Sequence, residues 1–91
     1  MIDEWDLVKP GNVITLVPHR SNISDLDKFQ VSITGIEDGV ISCGSSLKIP
    51  LEIGRVIQRY YTSNGAWIGY AFRYRSDAEK FILNGGNAAW I

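Results

Sequence analysis

The chain has 91 residues, 45% hydrophobic and 21% charged, with a net charge of −1, one cysteine and one histidine. That suffices for one domain over residues 1–91 with its own apolar core, and the lone Cys43 excludes an internal disulfide framework. Near-neutral charge argues against a general duplex-binding protein, no apolar run approaches the roughly 18 residues of a membrane helix, and the acidic start MIDEWDLVK is unlike a signal peptide, so a cytoplasmic setting is expected.

KPGNVITLVP reads as a turn and a first strand, opened by Pro10-Gly11 and closed by Pro18. HRSNISDLDK (19–28) is polar and rich in turn formers, which predicts a loop with room for one helical turn. FQVSITGI alternates Phe29, Val31 and Ile33 against Gln30, Ser32 and Thr34, as a half-buried antiparallel strand does. Glu37-Asp38-Gly39 then turns the chain into VISC. LKIPLEI alternates again, but Pro50 cannot donate a ladder bond, which predicts a sheet edge or an interruption there.

RVIQRYYT and AWIGYAFRYR are two further strands around Ser63-Asn64-Gly65. RSDAEKFILNGG is the one helix, with Ser76 and Glu79 spaced as a capping box and Gly85 as its stop. Trp90, in the tail NAAWI, is expected to pack back onto the body. These elements predict a mainly β fold: a small five-stranded antiparallel curled sheet or SH3-like barrel with one C-terminal α-helix. An open antiparallel sheet with the helix on one face is the alternative.

Charge is distributed unevenly. Residues 1–54 hold eight acids against four bases, whereas residues 55–75 hold four arginines, six aromatics and no acid. The direction of those side chains depends on the Ser63-Asn64-Gly65 turn. A two-residue Asn-Gly loop pairs Arg59 with Tyr70 and places Arg55 and Arg59 on the row Ile68, Tyr70, Phe72, Tyr74. If that apolar row faces the core, burying two unpaired guanidinium groups there costs several kcal/mol.

A three-residue loop with Gly65 in the left-handed region shifts the register by one residue and reverses the face. Val56, Gln58 and Tyr60 then lie inside with Ile68, Tyr70, Phe72 and Tyr74. Arg55, Arg59, Tyr61, Trp67, Arg73 and Arg75 lie outside, around a flat floor at Gly69 and Ala71. Glu37-Asp38-Gly39 is expected to use the same turn. This register is preferred, and Arg59 on the face of Tyr70 is the arrangement it rejects.

An arginine fork suits phosphate or carboxylate, and an aromatic ring offers a stacking surface. The expected function is therefore a non-enzymatic binding module that holds an anionic ligand on Arg55, Arg59, Tyr61, Trp67, Arg73 and Arg75. Single-stranded nucleic acid or RNA is the first class. The alternative is a small phage-type inhibitor or adaptor that binds an acidic host-protein surface or sequesters a nucleotide signal. A homodimer is compatible with an edge strand and spare aromatics. A solvated basic face covered by Trp5 or Trp90 is the bland counterpart.

Catalysis is not expected. His19 is the only histidine and Cys43 has no neighbouring ligand, so neither a metal nor a cofactor is predicted. His19, Ser21 and Asp25 lie close in sequence, which says nothing of a triad's geometry.

Ile68–Gly86, about a fifth of the chain, resembles the end of an RNA-recognition motif: Gly69, Tyr70, Ala71 and Phe72 match its signature strand, and a helix follows. The pattern departs at Ile68, where that family has a basic residue. Arg73 and Arg75 also stand where that family faces its core, and no first helix follows the first strand at the right distance.

Overall fold

The computed structural model describes residue 5 and residues 8–18, 22–52 and 54–86. His19 and the tail with Trp90 lie outside them. Seven strands form one antiparallel sheet: β1 (Val13–Pro18), β2 (Gln30–Ser32), β3 (Gly35–Glu37), β4 (Val40–Cys43), β5 (Leu47–Pro50), β6 (Gln58–Thr62) and β7 (Trp67–Phe72). A helix, α1 (Arg75–Leu83), follows. The spatial order is β2-β1-β7-β6-β5-β4-β3.

The expected five strands become seven chiefly because the run 29–36 is divided between the two edges of the sheet. Ile33 bonds to the β1 side, donating to the Asn12 carbonyl and accepting from Gly11, both at 2.9 Å. The next residue, Thr34, bonds to the β4 side through Ser42 at 2.8 Å. Its hydroxyl also donates to the Ser42 carbonyl and accepts from the Gly44 amide. Two edges of one sheet joined by two residues must curl towards each other, and the result is a half-barrel.

Its concave side is filled by the alternate residues of the strands: Ile14 and Leu16, Ile41 and Cys43, Ile49, Tyr60 and Ala71. Trp5 packs into this core and donates its indole N–H to the Val56 carbonyl at 2.9 Å. A second core lies on the convex side, where Val17, Ile57 and Phe72 meet Leu26, Ala78 and Phe81. β1 and β7 are therefore covered on both faces, so four consecutive residues, Ile14 to Val17, are buried.

Leu26 comes from the 19–28 segment. Its described part is not a loop but opens into a 3-10 helix, Ile23–Phe29. Asp25 starts it by accepting from the Asn22 amide, and Leu26 anchors it with no exposed surface. The α1 start also differs from expectation. Tyr74 is the N-cap, so Ser76 is already the second helical residue and the Ser76–Glu79 box does not form; the Glu79 carboxylate instead accepts from Arg75 Nε at 3.1 Å. The stop is as expected: Gly85 has φ +76°, and the Gly85 and Gly86 amides donate to the Ile82 and Phe81 carbonyls, a Schellman ending.

Strand ends follow turn chemistry. β5 stops at Pro50 and pairs with β6 only through Leu47 and Lys48, so proline interrupts the ladder. β6 starts only at Gln58, later than RVIQRYYT suggests. Glu37 pairs with Val40 around Asp38-Gly39, both at positive φ. That is a two-residue type I′ turn and not the three-residue loop expected there.

Candidate functional site

The β6–β7 hairpin turns through Ser63-Asn64-Gly65, the three-residue loop that its sequence favours. Gly65 has φ +90°, and the Thr62 amide donates to the Ala66 carbonyl at 2.9 Å. Tyr61 then pairs with Trp67, but Tyr60 pairs with Gly69, Arg59 with Tyr70 and Gln58 with Ala71. Ile68 is an extra residue on β7, a β-bulge that moves the register by one within a few residues of the turn. Arg59 therefore shares its face with Tyr70, the arrangement the sequence analysis rejects.

The face assignment is corrected accordingly. Ala71 points into the concave core and Gly69 is buried against the β1 backbone, so they form no outer floor. A Cβ built on Gly69 would stand 2.3 Å from the Val17 carbonyl oxygen, so β1 crosses too close here for any other residue. Gln58 and Tyr60 are inside, as expected, whereas Tyr70 and Phe72 lie on the convex side against Phe81. Tyr74 is half-exposed. Arg59 stays exposed because, among the described residues, the convex cluster of Leu26, Ala78 and Phe81 covers Val17, Ile57 and Phe72 and does not extend to it.

Where α1 does not reach, the convex side presents a mixed row. Lys48 pairs with Tyr61 and Tyr61 with Trp67, so the three stand side by side on β5, β6 and β7. The Arg59 guanidinium lies 5.9 Å from the centre of the Trp67 ring, within cation–π range. The Trp67 side chain, 45% exposed, is held in place. Its Nε1–H donates to the Gly69 carbonyl at 2.9 Å, and its ring meets the Tyr70 edge at 5.5 Å. The bulge makes this possible by letting Trp67 and Tyr70 project on one side with two residues between them.

Three of the six expected residues are thus brought together: Arg59, Tyr61 and Trp67. The other three are elsewhere. Arg55 sits in the connection before β6, 3.9 Å from Glu52. That connection is fixed by buried Gln58, whose amide accepts from the Glu52 N–H and donates to the Glu52 and Arg55 carbonyls. Arg73 lies beyond the far end of β7, reaching Val13 and Asn12 and resting 5.0 Å from the Tyr74 ring. Arg75 opens α1 and is ion-paired with Asp27 and Glu79.

Lys48 is the residue that sequence reasoning missed. The alternation of LKIPLEI places it on the polar side of its strand, but only the cross-strand register sets it beside Tyr61. Trp5 does not cover the row, since it is buried in the concave core. Among the described residues, the groups with raised pKa values lie in that core: burial pushes the Cys43 thiol up and the Tyr60 phenol up to about 12. Among the described residues, no group of three His, Cys, Asp or Glu could hold a metal ion. None of their helices is long and apolar enough to cross a membrane.

No family model, curated protein or solved structure matches this chain. The likeness to an RNA-recognition motif does not extend to the fold. That family uses a four-stranded sheet with open aromatics. Here the sheet has seven antiparallel strands, and Tyr70 and Phe72 pack against Phe81.

Proposed function

We propose that this protein is a non-enzymatic binding module that holds an anionic ligand on the open convex face of β5, β6 and β7. Single-stranded nucleic acid, RNA included, is the first class. One observation carries the proposal: an exposed guanidinium stands over a fixed, half-exposed indole, with Tyr61 and Lys48 in the adjoining row. Arg59 and Lys48 supply phosphate contacts, and Trp67 with Tyr61 supplies a stacking surface for a base. The acidic remainder of the chain limits non-specific attachment to nucleic acid.

The bent segment that serves both sheet edges supports classing the half-barrel as SH3-like. The reduced Cys43 suits a cytoplasmic setting. Trp67→Ala tests the function most directly, because base–aromatic stacking is worth about 1–3 kcal/mol. Affinity for a single-stranded oligonucleotide is expected to fall roughly five- to 150-fold. An oligonucleotide affinity unchanged by Trp67→Ala and Arg59→Ala rejects the nucleic-acid assignment. A salt-insensitive complex with a host protein, lost on Trp67→Ala, assigns the face to protein docking instead.

A further inference from the structure

We infer that the open convex face is a two-phosphate site: it takes a dinucleotide-length ligand, with one base on the Trp67–Tyr61 platform and one phosphate each on Arg59 and Lys48. This rests on the nucleic-acid reading proposed above and limits the length of the ligand. The first support is where the other arginines of residues 55–75 are held. Arg75 is committed to Asp27 and Glu79, Arg55 stands beside Glu52, and Arg73 reaches Asn12 and Val13. Trp67 and Arg73 are six residues apart along an extended strand, about 20 Å. Among the described residues, no carboxylate stands within ion-pair distance of Lys48 or Arg59, which makes them the two available charges of the row.

The second support is the shape of the platform. Tyr61 and Trp67 are directly paired across β6 and β7, so their Cβ atoms are only about 5 Å apart and both rings rise from the same side of the sheet. The Trp67 indole is tied to the Gly69 carbonyl and the Tyr70 edge, which keeps it from swinging out to open a second slot. The row also has limits on both sides. Glu37 shares the convex side on β3, where its carboxylate repels a continuing phosphate chain. On the other side Tyr70 meets Phe81 of α1, which walls the face off. Within this row, among the described residues, a longer strand finds neither a third cation nor a second aromatic platform.

Calorimetric titration with unlabelled, 5′-phosphorylated oligouridylates of one, two, four and eight nucleotides tests this. Affinity is expected to rise sharply from one nucleotide to two. It then levels off, once the number of overlapping dinucleotide sites in the longer chains is divided out. For the eight-nucleotide chain, log affinity should fall against log salt with a slope of about −1.4, the value for two neutralised single-strand phosphates. Lys48→Ala and Arg59→Ala should each reduce that slope by about 0.7, while Arg73→Ala and Arg75→Ala leave it unchanged.

Per-site affinity that keeps climbing tenfold or more from two to eight nucleotides, or a slope lowered equally by Arg73→Ala, overturns the length limit and leaves nucleic-acid binding standing. No binding at any length, with folding verified by circular dichroism, removes both.

Discussion

The convex surface of the sheet has two regions built on the same strands, one beneath α1 and one open. Under the helix the outward residues are Val17 and Phe72, sealed by Leu26, Ala78 and Phe81. In the open region they are Lys48, Arg59, Tyr61 and Trp67. Tyr70 stands between the two, touching Phe81 on one side and Trp67 on the other. The contrast shows that hydrophobicity of a strand face is local here. One side of β7 is core at one end and exposed at the other, and the helix sets the boundary.

Removing the helix's main anchor is the strongest way to break this contrast. Phe81→Ala should cost about 3–5 kcal/mol, the range for truncating a buried aromatic, read as a lower denaturation midpoint. Next comes Gly69→Ala. Its Cβ meets the backbone of Val17 and Pro18, which cannot yield as a side chain would. A loss of roughly 1–3 kcal/mol is expected, together with a changed near-ultraviolet signal as Trp67 loses its carbonyl partner. If stability is unchanged, β1 does not approach β7 that closely.

The concave core offers a test by pH. Tyr60 is neutral when protonated, and burial raises its pKa from 10.0 to about 12. The unfolded phenol therefore ionises first, and stability present below pH 10 is lost as pH rises from 10 towards 12. A fall of roughly 2 kcal/mol is expected across that interval, and Tyr60→Phe should flatten it. An unaltered alkaline limb in that variant would place the titration elsewhere.

The smallest stability effects belong to the arginines, and they sharpen the comparison most. Arg75→Ala should cost up to about 1 kcal/mol, since its pairs with Asp27 and Glu79 are partly exposed, and leave ligand affinity alone. Arg59→Ala should change stability by no more than about 0.5 kcal/mol and weaken ligand binding. The reverse result, stability lost at Arg59 and affinity lost at Arg75, would exchange the roles of the two regions.

Much of the fold was legible because local chemistry decides it. The left-handed Gly65 and the Gly85 stop formed as the residues indicate, and 29–36 kept its alternating burial although the run is divided between β2 and β3. The Ser76–Glu79 box failed because the helix starts earlier, at Arg75, with Tyr74 as its N-cap. Asp38-Gly39 closed on two residues, both at positive φ, where a third was expected. The candidate site was half legible. Arg59, Tyr61 and Trp67 came together, but through a different register from the one that suggested them, and Lys48 joined from a strand distant in sequence.

By itself the sequence determined a β-rich chain, the positions of most turns, and the basic, aromatic character of residues 55–75. It also determined which residues alternate along each strand. Only the tertiary structure decided which side of each strand is covered and which is left exposed. Period-two alternation sorts side chains into two sets without saying which set is covered. One bulge at Ile68 reverses their order, and burial depends on where Leu26 and Phe81 arrive from distant parts of the chain. For the same reason the charge of Arg75 was not available to the site: its partner Asp27 comes from the acidic half of the sequence, and only folding brings them together.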